Sequence, residues 1–217
     1  MKILAICGSP RRGRSQTRLL AEAVLSAARD KGAETLFIDA GQADIHGCIA
    51  CEACHRGPDC VLKDDAVGIQ RQMLEADGLI LASPVYLDQV TAQMKALLDR
   101  TSHFVHCLRL LGKYVAVVTT SGGGSGEATA AFLRSYALMA GAQYAGAVHA
   151  PLPLTPAHQA AARRLGETLV AAIQDRQQWF DQLAAIEAQR LFFRNSIDFW
   201  KEQWPYEFAY WQKMGWV

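Results

Sequence analysis

Four of the six cysteines fall within 13 residues, as Cys48-x2-Cys51-x2-Cys54-x5-Cys60. Thiolates are soft ligands, and four at this spacing suit a [4Fe–4S] cluster, because a compact loop can wrap a cube. The same four sulfurs can also close a tetrahedral zinc site, or stand as reactive thiols without metal. His46 and His55 flank the segment. Four sulfurs already complete a site, so both imidazoles are expected at the surface or behind the ligands. Asp64-Asp65, just downstream, is expected to cap the next helix rather than bind metal. Cys7 lies in the first apolar strand and Cys107 in a mixed segment, and both read as packing residues.

A second chemistry-bearing segment is Gly8-Ser9-Pro10-Arg11-Arg12-Gly13-Arg14-Ser15-Gln16-Thr17. Its hydroxyls, its backbone N–H groups and a helix start can converge on an anion, with Arg11 adding charge-assisted hydrogen bonds. The pattern is neither G-x-G-x-x-G nor G-x-x-x-x-G-K-[ST], which disfavours a dinucleotide fingerprint and an ATPase loop. Ala82-Ser83-Pro84-Val85-Tyr86 and Thr119-Thr120-Ser121-Gly122-Gly123-Gly124 form two further candidate loops. Three glycines follow Ser121 and no G-x-S-x-G elbow occurs, so neither a covalent nucleophile nor a general acid is expected.

The elements that must position these loops alternate along the chain. Strands are expected at Lys2–Cys7, Glu34–Ile38, Gly78–Ala82, Tyr114–Thr119 and Gln143–Val148, each short and apolar. Between them, helical spacing runs from a Ser15 cap through Leu19, Leu20, Ala23, Val24 and Ala27, and again over 64–75, 89–99 and 127–139. An alanine-rich helix is expected from about Ala157 into the 180s. This alternation predicts an α/β fold with a doubly wound five-stranded parallel sheet and helices on both faces. Such a sheet binds ligands at the carboxyl ends of its strands, near the reversal of strand order. The loops at 8–17, 83–88 and 120–126 all occupy such ends.

Residues 1–189 are expected to form this domain, with a cysteine-rich insert at 45–62, and 190–217 to form an extension. The extension holds ten aromatics, including Phe192, Phe193, Phe199, Trp200, Trp204, Tyr206, Tyr210, Trp211 and Trp216. Such density is expected to pack on its own or a partner subunit rather than face water. His103 and His106 read as part of a solvated turn.

The formal charge of +1 and the lack of a basic stripe argue against nucleic-acid or acidic-membrane binding. The first apolar run breaks at Gly8-Ser9-Pro10 into arginines, as a strand and loop would, and a cytoplasmic location is the expectation.

In their order along the chain, the three loops resemble the NADPH-dependent FMN reductase branch of the flavodoxin-like superfamily. The resemblance implies that Ser9, Arg11, Ser15, Gln16 and Thr17 hold the FMN phosphate. It implies that Pro84, Val85, Tyr86 and Leu87 wall the isoalloxazine ring, and that Thr120, Ser121, Gly122 and Gly123 approach its other edge. The cysteine spacing resembles that of the iron–sulfur flavoproteins within that family, which implies Cys48, Cys51, Cys54 and Cys60 as [4Fe–4S] ligands. The implied activity is FMN-dependent electron transfer to a small redox substrate or a ferredoxin-like carrier, in a homodimer or homotetramer, with NAD(P)H as a donor. Two alternatives stay open: a cluster-free NAD(P)H-dependent FMN or quinone reductase, and a flavodoxin-like redox-sensing interaction protein.

Overall fold

A computed structural model describes residues 1–217. Five parallel strands form one sheet in the order β2-β1-β3-β4-β5: β1 Lys2–Cys7, β2 Glu34–Ile38, β3 Gly78–Pro84, β4 Tyr114–Ser121 and β5 Gln143–Pro151. This is the flavodoxin-like doubly wound arrangement expected from the alternation of elements. Strands β3 to β5 run two or three residues beyond their expected ends, and those residues carry the ladder into the candidate loops.

Successive strand residues face opposite ways, so each central strand supplies two cores. Leu4, Ile6, Leu79, Leu81, Val115 and Val117 face one core, which is closed by α3 (Asp65–Glu75), α4 (Ala92–Asp99) and α6 (Glu127–Met139). Ile3, Ala5, Ile80, Ala82, Ala116 and Val118 face the other, beneath α1 (Gln16–Asp30) and α7 (Pro156–Gln174). Helices α1 and α7 approach closely at Gly166, where a Cβ would come within 2.3 Å of the Val24 carbonyl oxygen. The sequence at that crossing therefore has to be glycine. Cys7 and Cys107 are both buried; burial pushes the Cys7 thiol up to about 11, so it is protonated and inert at neutral pH.

The single alanine-rich helix expected into the 180s is two helices. Helix α7 stops at Gln174, Arg176 takes a left-handed φ of 48°, and α8 runs over Phe180–Phe199. The break has a reason that periodicity does not show. The Tyr114 hydroxyl donates to the Gln177 carbonyl at 2.9 Å, and the Trp179 amide donates to Gln143 Oε1 at 2.9 Å. The Gln182 side chain then pairs with both the amide and carbonyl of Tyr144, satisfying the outer edge of β5. Residues 189 and 190 lie within α8.

The aromatic tail packs on its own chain. Trp211 and Ile197 are fully buried in a third core with Cys107, Leu108, Leu138 and Ile186, flanked by Phe193, Trp204, Phe208 and Trp216. Phe180, Leu191, Phe192 and Phe199 stay exposed. No helix is long and apolar enough to cross a membrane.

Candidate functional site

The strand order reverses between β1 and β3, and the loops that follow them meet there. Gly8 extends the β1–β3 ladder, its amide donating to the Ala82 carbonyl at 2.9 Å. The Thr91 hydroxyl, at the N-cap of α4, donates to the Gly8 carbonyl at 2.6 Å, while the Thr91 amide donates to Ser83 Oγ at 3.1 Å. From the third loop, Thr120 Oγ1 lies 2.6 Å from Thr17 Oγ1, both buried. The three loops are therefore cross-tied by side chains before any ligand arrives.

Between them lies a cavity of about 100 Å³, lined by Ser9, Arg11, Gln16, Thr17, Pro84, Val85, Tyr86, Thr120, Ser121, Gly122 and Leu152. Every lining residue except Leu152 belongs to the set singled out from sequence. Leu152 follows β5, and its amide is held by the Ser121 carbonyl at 2.8 Å. Three expected residues lie outside the lining. Ser15 Oγ accepts the Arg18 amide at 3.1 Å as the cap of α1. Leu87 is 99% exposed at the tip of a tight turn, where it and Asp88 both have positive φ, and Gly123 is exposed.

The cavity is chemically one-sided. Two hydroxyls, a carboxamide, the exposed Arg11 guanidinium and the start of α1 converge at one end, which suits an anion. Gly41 packs under this loop; a Cβ there would sit 2.0 Å from the Ser9 carbonyl oxygen, so the segment after β2 packs directly against the loop's backbone. At the other end, Pro84, Val85 and the half-exposed Tyr86 offer an apolar wall that opens to solvent. His149 was missed from sequence. Its Nδ1 lies 2.9 Å from Thr119 Oγ1 and its Nε2 3.3 Å from Ser121 Oγ, and it fills the space over Gly126, so it supports the third loop from behind. Only the sheet's register, which pairs Thr119 with His149, identifies it.

The four clustered cysteines line a second, smaller hollow of about 30 Å³, shared with Ile49, Glu52, Leu62, Asp99, Arg100 and Ser102. The segment has little regular structure of its own. A four-residue helix, α2 (Ala53–Arg56), carries Cys54, and Ala50 and Glu52 both take left-handed φ. Non-glycine residues in that region cost of order 1 kcal/mol or more each, so the loop is held by contacts from outside. Asp64 is the main anchor: it caps α3, accepts the His46 amide at 2.9 Å and pairs with Arg100, both side chains fully buried. Burial pushes the Asp64 carboxyl up, and the hydrogen bonds from Arg100, the His46 and Ala66 amides and the His46 ring outweigh it, bringing it down to about 2. Arg100 in turn donates toward the His46 and Leu62 carbonyls and faces Cys60, so the Asp64–Arg100 ion pair ties the segment's two ends together beside the thiols. Ser102 Oγ lies 3.5 Å from Cys54 Sγ.

One expectation about histidine needs correction. His103 and His106 lie in a helix, α5 (Ser102–His106), not a solvated turn, and His103 is buried, which holds its imidazole near a pKa of about 4 and neutral. His55 is likewise buried: the tail helix α9 (Pro205–Lys213) places Glu207 against His55 and His106. Burial raises the Glu207 carboxyl, but hydrogen bonds from His106 and His55 outweigh it and keep it below the usual range. Glu207 escaped the sequence analysis because the tail's signal was its aromatic content, and nothing local ties residue 207 to residue 55.

Residues 1–154 match the model of the NADPH-dependent FMN reductase family. An iron-sulfur flavoprotein of Methanocaldococcus jannaschii is 44% identical over 101 residues, 46% of this chain and 52% of that protein. An iron-sulfur flavoprotein of Archaeoglobus fulgidus is 36% identical over 141 residues, 64% of this chain and 69% of that protein. The chain spans about half the length of several of the curated relatives that it matches. Among solved structures, an apo NADH:FMN oxidoreductase superposes with a TM-score of 0.62 at 22% identity, covering 79% of this chain and 89% of that one. At that identity the likeness concerns the fold alone.

Proposed function

The chain belongs to the NADPH-dependent FMN reductase family, within its iron–sulfur flavoprotein branch, and we propose that it is an FMN-dependent oxidoreductase whose four clustered cysteines hold a [4Fe–4S] cluster. The observation that carries the flavin reading is the 100 Å³ cavity with its anion-binding end at the β1–β3 switch. It is smaller than the roughly 300 Å³ or more of whole-ligand pockets, so it would hold the phosphate end of FMN. Ser9, Arg11, Gln16 and Thr17 would hold the phosphate, and the α1 terminus would favour its charge. Pro84, Val85 and Tyr86 would wall one face of the ring, and Thr120, Ser121 and Gly122 would offer polar groups and unobstructed backbone to its edge. Bound FMN supplies hydride and single-electron chemistry, which no side chain here can perform.

The hollow fits a cluster on its donor chemistry. Four thiols line it together with apolar Ile49 and Leu62, the Asp64-paired Arg100, and the carboxylates of Glu52 and Asp99. The same four sulfurs would also suit tetrahedral zinc; the likeness to iron-sulfur flavoproteins is what favours the cluster. Cys48, Cys51, Cys54 and Cys60 would ligate one iron each, adding single-electron exchange to the flavin's repertoire. Loop 83–91 leads into α4, and α4 leads to Arg100 and Ser102, so one continuous segment joins the two sites. The redox partner is a small molecule or a ferredoxin-like carrier, NAD(P)H serves as a donor only by entering the flavin cleft, and the chain works in the cytoplasm as a homo-oligomer.

Two titrations test this. Apoprotein should bind one FMN per chain, and Arg11→Ala should weaken it roughly 10- to 150-fold, the worth of about 1.5–3 kcal/mol for a charge-assisted hydrogen bond. Unchanged affinity in that variant removes Arg11 from the phosphate site. Cys51→Ala should lose the iron and keep the flavin; full iron retention rules out these four ligands.

A further inference from the structure

Glu207 is fully buried, yet its ion-pair partners are two imidazoles rather than a lysine or arginine. Its Oε1 lies 2.8 Å from His55 Nδ1 and its Oε2 lies 3.1 Å from His106 Nδ1. The two rings are nearly parallel, 8° apart with centroids separated by 5.0 Å, so both Nδ1 atoms address one carboxylate. Trp204 covers the pair, with its ring 4.6 Å from that of His55 and 5.2 Å from that of His106. Three potential ligand atoms thus lie within 4.8 Å of one another in a largely water-excluded place. A buried carboxylate needs a compensating positive charge or a metal, and neutral imidazole is the commonest metal ligand.

We propose that His55, His106 and Glu207 form a mononuclear site for a divalent transition metal of the zinc class, distinct from the cysteine hollow. The donors are His55 Nδ1, His106 Nδ1 and a Glu207 carboxylate oxygen. Tetrahedral zinc with bonds of about 2.1 Å places its ligand atoms roughly 3.4 Å apart; the three ligand atoms here lie within 4.8 Å of one another, and each imidazole is 2.8 or 3.1 Å from its own Glu207 oxygen. A water takes the fourth position, entering beside His106, the more accessible imidazole. Imidazole and carboxylate donors suit zinc, and a cluster occupying the four thiols leaves this triad as the zinc site. The site joins α2, α5 and α9. It fixes the tail helix to α2, the short helix that carries Cys54.

The test is zinc X-ray absorption on the full chain, purified anaerobically with its own cofactors, equilibrated with Zn²⁺ and freed of loosely bound metal. One zinc per chain with nitrogen or oxygen neighbours at about 2.0–2.1 Å is expected, against about 2.3 Å for sulfur. Glu207→Gln and, separately, His106→Gln should each weaken zinc by more than the roughly 10- to 100-fold that loss of an outer partner costs, with FMN content unchanged. No retained zinc in the unaltered chain, or a shell made of sulfur, overturns the proposal and leaves the triad as a hydrogen-bonded latch. The spectrum of the unaltered chain decides this even if neither variant folds.

Discussion

The anion cavity and the cysteine hollow are built by opposite means. The cavity is a product of the sheet: its loops leave the ends of β1, β3 and β4, and backbone ladders run to its rim. Its internal ties, Thr17 to Thr120 and Thr91 to Gly8, span strands already held in register. The cysteine segment leaves the sheet after β2 and makes almost no ladder of its own. Its shape depends on a few long-range side chains, Asp64 with Arg100 on one side and Glu207 with two histidines on the other. A site made by the fold should tolerate loss of any single tie, whereas a site made by side chains should not.

That contrast can be broken by mutation, and the largest effect should come at Asp64. Asp64→Ala strands Arg100 as a buried charge, a change that costs about 3–5 kcal/mol. Denaturant unfolding should register it, together with loss of iron from the cysteines, while FMN binding at native temperature survives in the folded fraction. The same pair predicts an acid response. Because the folded carboxyl sits at about 2, below its ordinary 3.8, its contribution is complete above that ordinary value and is lost as pH falls toward 2. Unfolding midpoints measured across that window should fall more steeply in the unaltered protein than in Asp64→Ala; parallel curves would show that Asp64 is not the group responsible.

Gly41→Ala probes the other side. Its new methyl meets the Ser9 carbonyl, and overpacking of this kind costs about 1–3 kcal/mol. FMN affinity should drop with iron content unchanged, the reverse of the Asp64 pattern. Thr17→Val should be milder, near 1 kcal/mol of FMN binding by calorimetry, because the sheet keeps the loop in place without that hydroxyl. A larger loss, with iron affected too, would mean that the two sites are not built independently.

How legible each region was follows from the same distinction. The sheet could be read because buried parallel strands are short apolar runs, and its loops because Ser9-Pro10-Arg11 and Ser121-Gly122-Gly123 stand directly after such runs. Cys48 to Cys60 could be read as a group because they are close in sequence. What could not be read was anything joining distant segments: His149 behind Ser121, Leu152 in the lining, and Glu207 against His55. Each depends on register or on tail docking, neither of which has a local signature. The break at Arg176 escaped for a related reason, since the helical pattern continues through it and the cause lies in Tyr114 and Gln143 on neighbouring strands.

The most direct test of the account is the content of flavin, iron and acid-labile sulfide per chain in anaerobically purified protein. One FMN with about four iron and four sulfide, the composition of a single [4Fe–4S] centre, is the predicted result. FMN without iron, persisting after reconstitution with iron and sulfide, would contradict the cluster, and absence of FMN binding would contradict the reading of the cavity itself.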